Sequence, residues 1–148
     1  MALALLDTNV LVHAANASSP LHAAAAHLVA QGLRKRDHFC IAPQNLTEFA
    51  AVVTNTRFVE KPLSPTDVLR MVQELYQSRR LAKIHPKRGT VMRAVQTGTD
   101  KNISGAVWYD LFLAQTMLDA GVHLIITENI ADFSQIPFIH AKKIQEAV

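Results

Sequence analysis

Short apolar runs alternate with helix-length segments through this 148-residue chain. That alternation restricts its fold more than any other feature. Residues 2–6, 38–42, 82–85, 122–126 and 138–140 read as strands, the first ending at Asp7. Ser19-Pro20 and Ser64-Pro65 each pair a capping hydroxyl with a proline suited to a first helical position, predicting helices to about Leu33 and about Arg79. The second carries an apolar stripe of Val68, Leu69, Val72, Leu75 and Tyr76. Pro43 is expected to start a helix to about Asn55, residues 87–98 to be helical, and 107–120 to form a strongly apolar helix stopped by Gly121. Residues 129–133 are expected to add one helical turn. Strands joined by helices pair in parallel through right-handed crossovers. The expected fold is therefore α/β, a three-layer α/β/α sandwich on a mainly parallel sheet of four to five strands. A chain 49% hydrophobic but only 6% aromatic suits that architecture and excludes a disordered one. With no repeat or linker, residues 1–148 read as a single domain.

One cysteine, Cys40, rules out an intramolecular disulfide and, between Phe39 and Ile41, reads as a buried small hydrophobe. The opening residues lack a basic segment and are too short in apolar run for a signal peptide, and no stretch is long enough to span a membrane, so a cytoplasmic protein is expected. The net charge is +3, but its distribution is uneven. Residues 1–60 hold four charges of each sign, whereas Arg79, Arg80, Lys83, Lys87, Arg88, Arg93 and Lys101 face a single acid, Asp100, within residues 79–101. A block of one sign is a candidate phosphate-binding surface, with plain solubility as the alternative.

The acids carry the sharper signal. Ligands of open parallel sheets bind beyond the carboxyl ends of the strands. Asp7 lies at such an end, and Thr127, Asn129 and Asp132 lie at another. Asp110 stands among Trp108, Tyr109, Leu111, Phe112 and Leu113 on a helix without lysine or arginine. A carboxylate in that setting must rise in pKa or find a cation, unless it merely faces the helix N-terminus. Glu48, before Phe49, Ala50 and Ala51, has no cationic neighbour within a helical turn. Acids and amides without a Cys or His cluster form an all-oxygen donor set, which suits Mg²⁺ or Mn²⁺ rather than Zn²⁺. The seven histidines show no metal-ligand spacing.

The segments Leu5-Leu-Asp7-Thr8-Asn9-Val10-Leu11, Asn45-Leu-Thr-Glu48-Phe49, Tyr109-Asp110-Leu-Phe-Leu-Ala114 and Ile126-Thr127-Glu-Asn129-Ile-Ala-Asp132-Phe133 occur in that order. Together they resemble PIN-domain ribonucleases, whose small members include VapC-type toxins. The resemblance implies a metal-dependent endoribonuclease using one or two Mg²⁺ or Mn²⁺ ions, with Asp7, Glu48 and Asp110 as the principal metal-binding acids. In-line attack of water on phosphorus, without a covalent enzyme intermediate, is the mechanism expected. Asn129 stands where the family often has a fourth acid, leaving Asp132, about one turn later, to serve in its stead. Thr127 and Asn9 match orienting positions. A homodimer and a small antitoxin partner masking the site are also implied. The alternatives are an RNA-binding or scaffold module weakened at Asn129, and a DNA-directed nuclease. An aspartyl-phosphatase reading fails because Asn9 breaks the D-x-D pattern such enzymes start from.

Overall fold

The computed structural model describes residues 2–148. Five strands, β1 (Ala4–Leu6), β2 (Phe39–Ile41), β3 (Ala82–Lys83), β4 (Leu124–Ile126) and β5 (His140–Lys142), form one sheet in the order β3-β2-β1-β4-β5. Every neighbouring pair is parallel, with Leu5 opposite Cys40 on one side and Ile125 on the other. Helices α1 (Thr8–Ala15), α2 (His22–Arg34), α3 (Pro43–Val53), α4 (Pro65–Gln77), α5 (Thr90–Asp100), α6 (Val107–Asp119), α7 (Ile130–Ser134) and α8 (Ile144–Ala147) complete the chain.

Strand side chains alternate between faces, so each strand feeds two cores. Ala4, Leu6, Phe39, Ile41 and Ile126 pack against apolar residues of α1, α2, α3, α4 and α8. Leu5, Cys40 and Ile125 pack the other way, against Leu111, Leu113, Ala114 and Met117 of α6 and Phe133 of α7. This is the three-layer α/β/α sandwich expected. From β1 the chain moves outward through β2 to β3, then crosses the opposite face to reach β4 on the other side of β1. The strand order thus reverses between β1 and β4, the switch point beside which open α/β sheets form their ligand crevice. No helix is long and apolar enough to cross a membrane among the described residues. Cys40 is fully buried, and burial pushes its thiol pKa up to about 12.

Some local expectations hold and some shift. Ser64 caps α4 by accepting the Asp67 N–H, and Gly121, at φ +75°, terminates α6. Ser19-Pro20, by contrast, does not open a helix. The Ser19 hydroxyl accepts the Leu21 N–H at 3.0 Å and meets His13 Nδ1 at 2.7 Å, capping a turn, and α2 starts at His22. Helix α1 was not anticipated, since β-branched Thr8, Val10 and Val12 disguise a helix that Asp7 caps directly after β1. The last strand lies at His140–Lys142 rather than 138–140. Phe138 has φ +69° and is 76% exposed, a backbone no strand can use.

Candidate active site

Asp7 leaves the carboxyl end of β1 and is only 5% exposed. Its backbone N–H donates to Ile126 of β4, which fixes it at the switch point. One carboxylate oxygen, Oδ1, accepts the Thr8 N–H at 2.8 Å, so the same side chain caps α1. The other, Oδ2, accepts the Thr127 hydroxyl at 2.7 Å and the Asn9 amide at 3.3 Å. The Asn9 amide is in turn held between Thr127 Oγ1, to which it donates at 3.0 Å, and the Glu128 N–H, which donates to its carbonyl at 3.1 Å. Burial raises the Asp7 pKa, the Thr127 and Thr8 hydrogen bonds oppose that rise, and Glu48 and Asp132 add to it.

Glu48 reaches the same cleft from α3. Thr8 Oγ1 donates to its Oε2 at 2.9 Å, and Gln44, one turn earlier, donates to its Oε1 at 2.8 Å. The Gln44 amide also donates to the Tyr109 carbonyl at 3.2 Å, tying α3 to α6 beside Asp110. Buried Asn45 completes the support, accepting the Ala42 N–H at 2.8 Å and donating to Thr8 Oγ1 at 3.3 Å. Thr8, Gln44 and Asn45 were not singled out as site residues from sequence. Their signal is helical spacing, since Gln44 stands one turn before Glu48 and directly follows the Pro43 start.

Asp110 sits in the first turn of α6, half buried, while its neighbour Tyr109 points outward at 68% exposure. Burial and the charges of Asp132, Asp7 and Glu48 push its pKa up to about 7. Asp110 therefore feels all three other acids at once. Asp7, Asn9, Glu48, Asp110 and Asn129 line one cleft of about 370 Å³. Asp132 borders an adjoining one. The only salt bridges among the described residues are Arg70–Asp67 and Arg93–Asp119, so none of the four acids has a lysine or arginine partner.

Four uncompensated carboxylates and the Asn129 amide offer a hard, all-oxygen donor set, which fits a divalent cation such as Mg²⁺ or Mn²⁺. Among the described residues no three acidic, histidine or cysteine side chains are closed into a ready-made cage. The acids instead surround an open cleft, an arrangement suited to an ion that retains water and borrows substrate oxygens.

The topology divides the basic block. Arg79 and Arg80 precede β3, and Arg80 donates to the Arg34 carbonyl at 3.0 Å at the end of α2, on the rim opposite the acids. Lys87 and Arg88, though they follow β3, also lie on the rim opposite the acids, since the Lys87 N–H donates to Thr90 and the Thr90 hydroxyl donates to Asp119 at the far end of α6. Lys83 donates to the Ser78 and Leu81 carbonyls, and Arg93 forms a two-pronged pair with Asp119. These last two are occupied by contacts within the fold.

The likeness to known proteins follows the same outline. Ribonuclease VapC24 of Mycobacterium tuberculosis is 28% identical over 134 residues, covering 90% of each chain. The Sarcin-Ricin loop cleaving toxin VapC20 of Mycobacterium tuberculosis superposes with a TM-score of 0.65 at 14% identity, over 86% of this chain and 92% of that one. DNA-bound VapBC from Salmonella typhimurium gives a TM-score of 0.65 at 20% identity, over 97% and 99%. The PIN domain profile matches residues 4–139, taking in every strand except the last together with Asp7, Glu48, Asp110 and Asp132. By sequence and by architecture, the chain belongs to the PIN domain family.

Proposed function

We propose that the chain, acting as one nuclease domain, is an endoribonuclease that hydrolyses RNA phosphodiester bonds with Mg²⁺ or Mn²⁺ held by Asp7, Glu48 and Asp110. Asn129 or Asp132 completes the donor set. The observation that carries this reading is the half-buried Asp110, whose pKa is driven to about 7 by burial and three neighbouring acids with no protein cation to relieve it. A divalent ion held there would supply the missing charge and offset the charge that builds on the phosphoryl oxygens. The residues supply position. Thr127 and Asn9 hold Asp7 Oδ2, Thr8 and Gln44 hold the two oxygens of Glu48, and Val12, Ala51 and Val52 give the cleft an apolar side. The phosphate is placed for in-line attack by water, with no side chain available as a better nucleophile.

The relatives support the RNA assignment, since VapC24 is a ribonuclease and VapC20 cleaves the Sarcin-Ricin loop. The VapBC assemblies among the structural neighbours support a small antitoxin as partner. A homodimer is part of the same reading, as is a cytoplasmic setting. Purified protein should cut structured RNA with Mg²⁺ or Mn²⁺, lose activity in EDTA, leave DNA intact, and lose activity in Asp7→Asn. Equal cutting by wild type and Asp7→Asn would reject the assignment in favour of a binding module. Preferential cutting of DNA would reassign the substrate.

A further inference from the structure

A second cleft, of about 480 Å³, lies between the α5–α6 loop and α7 and shares Asp132 with the acid cluster. Its volume falls within the range of small-ligand sites, about 300–1,000 Å³. Its lining is mixed. Ile103, Val107 and Ile136 offer apolar surface, whereas Lys101, Asn102, Ser104 and Gln135 bring polar groups. Gln135 donates its amide to the Ala131 carbonyl, which leaves its side-chain oxygen to accept. The side chains of Lys101, Asn102 and Ser104 form no hydrogen bond among the described residues. Lys101 is the single cation of this cleft and the one member of the basic block that borders Asp132.

The polar lip is rigid for a local reason. Asn102 takes φ +54° just past α5, its N–H donates to Thr99, and the Ile103 N–H reaches back to Gly98 at 3.0 Å. That pair of bonds is a helix-terminating motif in which asparagine is one of the few residues tolerated besides glycine. The turn so fixed carries the amide, the hydroxyl and the ammonium, and the same cleft is lined by apolar Ile103, Val107 and Ile136. A flat heteroaromatic ring with polar edges, attached to an anion, matches this combination; a purely apolar or purely anionic ligand matches only half of it.

We infer that this cleft is a nucleotide subsite, seating the base next to the scissile phosphate against Ile103, Val107 and Ile136 and reading its edge with Asn102, Ser104 and Gln135. Lys101 meets the attached phosphate. The inference rests on the nuclease reading for its place in a strand, but not for its test. The full chain, ¹⁵N-labelled and in EDTA, is titrated with each of the four nucleoside 5′-monophosphates and followed by amide chemical shifts. Shifts should cluster at residues 101–104 and 135–136 and differ in size among the four bases. Asn102→Gly keeps the left-handed cap while deleting the amide; combined with Ser104→Ala it should weaken binding about fivefold without altering the folded spectrum elsewhere. Absence of shifts in this cleft, or identical affinities for wild type and the double variant, overturns the subsite. Nucleotide binding here by a chain that proves unable to cut RNA would reject the nuclease reading alone.

Discussion

Both oxygens of Glu48 are held by neutral donors, Thr8 on one and Gln44 on the other, and the Gln44 amide is shared with the Tyr109 carbonyl. Neutral donors fix a carboxylate without cancelling its charge, which is what a metal ligand requires of its supports. On the proposed reading Gln44 is a positioning residue, since its amide meets both Glu48 and the backbone next to Asp110. Gln44→Leu should weaken Mn²⁺ binding by about 10-fold, in the range found for groups that orient ligands. Its melting temperature in EDTA should stay near wild type, because Gln44 is only partly buried. Calorimetric titration of Mn²⁺ into the two proteins checks this, and Gln44→Glu separates position from charge, since it restores reach but adds repulsion. Unchanged Mn²⁺ affinity in Gln44→Leu would reduce the residue to packing. Of this support, only the one-turn spacing of Gln44 from Glu48 was legible in the sequence. Asp7, Glu48 and Asp110 stand out because a charge among apolar residues is conspicuous in sequence, whereas a glutamine beside a proline is not.

Among the elements, α6 carries Asp110 and is set against α5 through Gly98. A methyl group added at Gly98 would meet the Trp108 ring at 2.4 Å and Leu111 Cδ2 at 2.9 Å. Overpacking of that kind costs about 1–3 kcal/mol, partly offset by the roughly 1 kcal/mol that alanine gains over glycine within a helix. Gly98→Ala should therefore lower the midpoint of urea unfolding and, by pushing on the first turn of α6, weaken Mn²⁺ binding as well. A variant as stable as wild type would show that α5 yields easily. Topology also sets Lys101 beside Asp132, apart from Arg79, Arg80, Lys87 and Arg88 on the opposite rim. Lys101→Glu should reduce the slope of log affinity against log salt for single-stranded RNA by about 0.7, if it contacts one phosphate. The double charge reversals at Arg79 and Arg80 and at Lys87 and Arg88, all on the opposite rim, should change it less, which fluorescence anisotropy at several salt concentrations can resolve. The sequence ranked all seven basic residues alike because charge counting ignores topology. Periodicity likewise found β1, β2, α3, α4 and α6, whose apolar patterns and caps agree. It missed α1, where local β-propensity conflicts with a helix that the Asp7 cap and burial of Val10 and Leu11 impose, and it misplaced the start of α2 because Ser19 caps a turn instead.

At the scale of the whole molecule, the positive net charge conceals a cleft where four acids repel one another, and this should make stability depend on pH in an unusual direction. Asp110 titrates near 7 in the folded state against 3.8 as a free side chain, so the folded chain holds a proton there that the unfolded chain has released. The stability this proton provides is complete below the unfolded value and is lost as pH climbs through about 7. Asp7, also raised, acts in the same sense. His13, lowered by burial, acts oppositely, because a folded chain that resists its protonation gains stability as pH rises through 6.5. Comparison with Asp110→Asn removes that background. In EDTA the variant should match wild type near pH 4 and melt at a higher temperature at pH 8, where wild-type Asp110 is ionised and uncompensated. A divalent ion should reverse the order. At 100 times its dissociation constant a ligand stabilises the folded state by about 2.7 kcal/mol, which for a domain of this size raises the melting temperature by about 5–10 °C. The rise on adding Mn²⁺ should be larger for wild type at pH 8 than at pH 5, where protons compete for Asp110, and small for Asp110→Asn at both. Melting curves at the two pH values, with EDTA or Mn²⁺, measure all of these differences. A wild-type gain equal at both pH values and shared by the variant would place the ion away from the carboxylate cleft.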